Sequence, residues 1–62
     1  MTKREVEDKY LGKTIRIIHM SGEEDYDGKV GKVEHVDSLL QLHGTWGGLA
    51  VILGLDEIEI LG

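Results

Sequence analysis

The sequence has no cysteine, which excludes disulfide staples and thiolate metal sites and fits a reducing compartment. No apolar run approaches the roughly 20 residues that cross a bilayer. The opening residues, Met1-Thr2-Lys3-Arg4-Glu5-Val6-Glu7-Asp8-Lys9, start basic but have no apolar stretch behind them, so they do not read as a signal peptide. The expectation is a cytoplasmic protein without membrane attachment. Aromatics are scarce, with 1 Trp, 2 Tyr and no Phe. Bases are outnumbered too: 7 Lys and Arg face 12 Asp and Glu, for a net charge of −5. A global anion repels nucleic acid and acidic membranes at long range, although a local basic patch is compatible with it. The chain is also short. At 62 residues it makes at most one domain, buries only about 60% of its unfolded surface, and should be stable by a few kcal/mol.

What is present is a strand pattern. Residues 1–10 are almost all charged and read as a tail, or as one short helical turn in which Val6 and Tyr10 share a face at i,i+4. From Gly12 onward the pattern changes. Ile15 and Ile17 alternate with Thr14 and Arg16, as in a half-buried strand. Ser21 to Gly28 carries glycines and acids and reads as a solvated loop.

A second strand is expected from about Lys29 to Val36 and a third from about Leu39 to Thr45. A two-residue turn, Asp37-Ser38, would join them. In that register Val33 faces Leu42 and His35 faces Leu40. Val33, Leu40 and Leu42 then point inward, and Lys32, Glu34, Gln41 and His43 outward. Gly47-Gly48 is a stronger hairpin signal, pairing Trp46 with Leu49, Gly44 with Val51 and Leu42 with Leu53. Gly54-Leu55-Asp56 would form a single 3₁₀ turn. Glu57-Ile58-Glu59-Ile60 closes the chain with Ile58 and Ile60 inward. Five short strands with tight hairpins suit an all-β fold: a small five-stranded SH3-like barrel over residues 11–62, preceded by a short charged N-terminal tail at 1–10.

Two resemblances bear on this. The run from Gly28 to Asp37, GKVGKVEHVD, resembles the KOW motif of SH3-like barrels in ribosomal proteins and NusG-type transcription factors. The longer runs GKTIRIIHMSGEEDYDGKVGKVEHVD and TWGGLAVILGLDEIEIL resemble a family of short bacterial and phage domains of unknown function. The positions that carry this likeness include Gly12, Arg16, Met20, Ser21, Gly28, Gly31, Val33, Trp46, Gly54, Asp56 and Ile60. The sequence departs from that pattern in having no loop prolines and a short Trp hairpin. The resemblance implies the barrel and carries no activity, catalytic residue or ligand.

Candidate sites follow from side-chain chemistry. His19, His35 and His43 lack the tight spacing of zinc ligands, and the expected register sets His35 and His43 on opposite faces. Glu23, Glu24, Asp25 and Asp27 lack the alternating order of a calcium loop. Ser21 and Ser38 suit turns better than catalysis. No cofactor and no enzymatic activity are expected. Trp46 with Tyr26 could form part of a ligand groove, but the register turns Trp46 inward as a core plug. Lys13, Arg16, Lys29 and Lys32 make a candidate nucleic-acid stripe on adjacent strands. Val36, Leu39 and Ile52, joined by Ile18, fall on the outer face and form the candidate interaction surface, unless Val6 or Tyr10 covers them. The leading expectation is a non-enzymatic interaction module that docks on a protein partner or forms a weak homodimer. The alternative is a KOW-like nucleic-acid or ribosome-associated accessory protein.

Overall fold

The structure, a computed structural model, describes residues 1–62. A short helix precedes five strands: α1 (Lys3–Tyr10), β1 (Thr14–His19), β2 (Val30–Val36), β3 (Gln41–Gly44), β4 (Gly47–Ile52) and β5 (Glu57–Ile60). A 3₁₀ turn, Glu24–Tyr26, lies between β1 and β2. The strands form one antiparallel sheet in the order β4-β3-β2-β1-β5, so β4 and β5 are its edges and it is not closed strand to strand. No helix is long and apolar enough to cross a membrane.

The N-terminal residues form a helix rather than a tail. The Thr2 hydroxyl accepts the Glu5 N–H while the Glu5 carboxylate accepts the Thr2 N–H, a reciprocal cap that satisfies two otherwise orphaned donors. Val6 is completely buried and Tyr10 packs half-buried against the same core. The i,i+4 pair is therefore real, and residues 1–10 belong to one core with residues 11–62.

β1 behaves as its alternation requires. Ile15 and Ile17 are buried, and the strand sits mid-sheet with β2 on one side and β5 on the other. The loop after it is organised by two carboxylates. Asp27 accepts the Met20 N–H at 2.9 Å and holds His19 Nδ1 at 3.1 Å, which turns Met20 into the core. Asp56 accepts the Ser21 N–H at 2.9 Å and the Ile52 N–H at 2.8 Å, tying the segment after β1 to the end of β4.

The β2–β3 connection differs from expectation. The Asp37 N–H donates to the Gln41 carbonyl and the Leu40 N–H to the Asp37 carbonyl, so the turn is wider than Asp37-Ser38. His35 pairs with His43 and Val36 with Leu42. Val36, expected outside, is therefore inside, with 1% of its surface exposed. A β-bulge between Val33 and His35 lets Val33 and Val36 both point inward, which strict alternation forbids. Leu40 is only half-buried, and His35 and His43 are cross-strand neighbours with ring centres 5.6 Å apart.

The β3–β4 turn also shifts. It is centred on Thr45-Trp46, with Gly44 opposite Gly47 and Leu42 opposite Val51. Thr45 and β2 exchange two hydrogen bonds through Lys32, and the Trp46 indole N–H donates to the Leu49 carbonyl at 2.7 Å. These bonds outweigh the preference of Gly47-Gly48 for a tight turn. Trp46 is the core plug that its inward orientation implied. Leu53 closes an isolated bridge to Asp56 around a turn, with no 3₁₀ element there. On the edge strand β5 Ile58 is half-buried, but Ile60 is exposed, against expectation, because only β1 flanks it.

Candidate interaction surface

The surface begins with Asp37. One of its oxygens accepts the N–H groups of Leu39 and Gln41, both at 2.9 Å, and the other meets His43 Nε2 at 2.8 Å. These bonds hold the Asp37 carboxyl below its usual range, with His43 the largest cause. They also hold Leu40 at φ +64°, the one non-glycine residue with positive φ. That conformation costs on the order of 1 kcal/mol. It directs Leu40 toward the core and leaves Leu39 at the turn with 74% exposure, the highest of the large apolar side chains.

Beside Leu39 lies a hollow of about 260 Å³. Its walls come from three parts of the chain: Met1 and Val6, then Leu39, Leu40 and Gln41, then Ile52 and Leu53. Gln41 is the only polar residue among them. Of the four residues assigned to the interaction surface, Leu39 and Ile52 line this hollow, and Ile52 is 39% exposed. Val36 does not, since it is buried beneath the sheet. Ile18 is exposed on β1, with β2 lying between it and β3, and is not part of the lining. The N-terminal segment forms a wall of the hollow and leaves Leu39 and Ile52 open.

Met1, Leu40, Gln41 and Leu53 line the hollow without having been expected there, and Val6, expected only as a cover for the surface, is one of its walls. The Thr2-x-x-Glu5 spacing was a usable signal for α1. Asp37 two and four residues before the amides it caps was a signal for the wide turn.

The basic stripe is only partly assembled. Lys32 and Arg16 lie on adjacent paired strands, β2 and β1. Arg16 is ion-paired with Glu59 across β1 and β5. Lys29 lies over the Tyr26 ring at 5.5 Å. Lys32 shares a second hollow, of about 340 Å³, with Leu11, Gly12, Val33 and Glu34, so that hollow is mixed in charge. Lys13, Lys29 and Lys32 make no ion pair. Tyr26 is half-buried beside Gly47 and the buried Trp46 ring lies against Gly31 and Gly44, and neither aromatic lines either hollow. No three His, Asp or Glu side chains are grouped to hold a metal ion.

No family model matches the chain, and neither a curated protein nor a solved structure matches it.

Proposed function

We propose that this chain is a small SH3-like interaction module that performs no chemistry of its own and docks on a protein surface through the hollow beside Leu39. The observation that carries the reading is the adjacency of the most exposed large apolar side chain to an almost wholly apolar hollow. A lone exposed leucine needs no explanation, whereas an apolar side chain contiguous with an apolar concavity marks an interface. The local strain at Leu40 supports it, because strained backbone gathers where a surface is held ready for a partner.

The SH3-like reading is supported by the strand order, with the first strand between the second and the last. It is supported also by Asp56, which joins the end of β4 to the segment following β1 and so links the two sides of the open sheet. The test is a pair of affinity captures from source cells, each with and without nuclease. The intact chain should retain a nuclease-resistant protein that the Leu39→Glu chain loses. Capture indifferent to Leu39→Glu would sink the reading.

A second reading, a KOW-like accessory that touches nucleic acid, draws on the three lysines of the stripe, Lys13, Lys29 and Lys32, which have no carboxylate partners. The Arg16–Glu59 pair and the nearby Glu34 oppose it. Capture that vanishes with nuclease would favour it.

A further inference from the structure

We propose that His35 and His43 form a two-histidine site for a late first-row divalent cation, zinc or nickel, which clamps β2 to β3 beside the Leu39 turn. The site is independent of what docks at Leu39.

The register brings the two rings together. A two-residue Asp37-Ser38 turn would set the histidines on opposite faces, where they could not share an ion. The wide turn makes them cross-strand partners instead. Directly opposed residues of an antiparallel pair share one face, with Cβ atoms about 4.5–5.5 Å apart. The ring centres here are 5.6 Å apart. Two imidazoles on one tetrahedral zinc, each bound through nitrogen at about 2.0–2.1 Å, have ring centres about 5 Å apart. A small rotation of one side chain closes that difference.

The nitrogens are placed for it. His43 Nε2 meets Asp37 Oδ2 at 2.8 Å. A carboxylate there accepts the Nε2 N–H and leaves the Nδ1 lone pair for a metal. Metal-bound histidines are held in one tautomer and made better ligands in this way. Asp37 itself is committed: one oxygen accepts the Leu39 and Gln41 amides and the other holds His43. It therefore orients the ligand rather than binding the ion. His35 is exposed and its ring bonds to no protein group, so it is the ring that turns toward the ion.

Ligand type selects the ion. Imidazole suits zinc, nickel and copper, whereas magnesium and calcium take oxygen ligands. No third His, Asp or Glu completes the group, so water fills the remaining positions and the affinity is moderate. The net charge of −5 draws cations to the chain. An ion held by both strands binds the folded hairpin and not the unfolded chain, so it adds stability. It also braces the turn that presents Leu39, because Asp37 joins His43 to the Leu39 amide.

His19 supplies an internal comparison. Asp27 holds its Nδ1 at 3.1 Å and its side chain is 50% exposed. Its cross-strand partner is Glu57, so it offers one oriented imidazole where the proposed site offers two.

The test is a titration of the untagged full chain with zinc chloride in a non-chelating buffer at neutral pH, followed by NMR of the histidine rings. The His35 and His43 rings should shift together and saturate at one ion per chain. Loss of even an outer-shell partner costs a metal site about 10–100-fold, so this should occur at least about tenfold below the zinc concentration that moves His19. Nickel chloride should broaden the same two rings first. Saturating zinc should raise the urea midpoint. His35→Ala, at an exposed position, should keep the circular dichroism spectrum, abolish the midpoint shift and weaken binding about tenfold or more. His19→Ala should leave zinc binding intact. Rings of His35 and His43 that respond separately, or only alongside His19, overturn the inference, as does zinc binding that survives His35→Ala unchanged.

Discussion

Asp37 and His43 are joined across the β2–β3 hairpin, carboxylate Oδ2 to ring Nε2 at 2.8 Å. The same carboxylate caps two amides of the turn, so one side chain sets the strand register and the display of Leu39 together.

This arrangement makes stability depend on pH. Asp37 is held below its usual 3.8, first by His43 and then by the Gln41 and Leu39 amides. Asp27 is held below the same value, first by the Met20 amide and then by His19. Each contributes fully above 3.8 and loses its contribution as pH falls through its lowered folded value. His19 is raised above 6.5, chiefly by Asp27, so its contribution is full below 6.5 and lost as pH rises through its folded value. Glu5 is lowered from 4.5 by its bonds to Thr2 and sets the acid side of the window, so stability should peak between 4.5 and 6.5. Urea midpoints measured across the acid and neutral range test this. Asp37→Asn should flatten the acid limb, and an unchanged limb would show that the turn does not depend on the carboxylate.

Val36 and Leu39 separate the two possible registers. Val36→Ala removes a side chain with 1% exposure and should cost about 1.5–3 kcal/mol. Leu39→Ala, at 74% exposure, should stay within about 0.5 kcal/mol. A two-residue Asp37-Ser38 turn would put Val36 at the surface and make its truncation nearly neutral. Denaturant unfolding of the two variants decides between them.

The strands were legible where side chains alternate without interruption. Ile15 and Ile17 in β1, and Val33, Leu42 and Val51 around the core, all point inward as their spacing demanded. Legibility failed at turns, where one polar side chain outweighs a residue-type preference. Asp37 widens its turn by capping amides, and Trp46 moves its turn by folding over Gly44. Each change shifts a register, and an odd shift reverses faces, which is how Val36 left the candidate surface while Leu39 and Ile52 stayed. The hollow was not legible, because it joins three segments distant in sequence.

The displaced turn has its own test. At Gly44 an added Cβ would collide with both the Lys32 carbonyl and the Trp46 ring. Gly44→Ala should therefore cost about 1–3 kcal/mol through overpacking. Gly48 has open space around it and ordinary backbone angles, so Gly48→Ala should be close to neutral. If Gly47-Gly48 were instead the turn centre, Gly48→Ala would be the more damaging change. Thermal unfolding of both variants shows which glycine the fold requires.

The last prediction concerns nucleic acid. Binding to random RNA or DNA depends on cations that can release counterions from phosphates. Arg16 is ion-paired with Glu59, which must be displaced or desolvated before a phosphate takes its place. Lys13, Lys29 and Lys32 are free of ion pairs, but Glu34 lies beside Lys32 and the whole chain carries a net charge of −5. The three unpaired lysines of the stripe, set against that field, should bind more weakly than about 10⁻⁵ M at physiological salt. A fluorescence titration with labelled RNA, repeated on a Lys13→Gln, Lys29→Gln, Lys32→Gln triple variant, measures this. The two proteins should give the same weak isotherm. Submicromolar affinity that falls with salt, and collapses in the triple variant, would favour the nucleic-acid reading over the proposed docking at Leu39. Glu59→Gln gives a further check: it frees Arg16 and lowers the net negative charge, so if the electrostatic account is right it should strengthen binding and steepen its salt dependence.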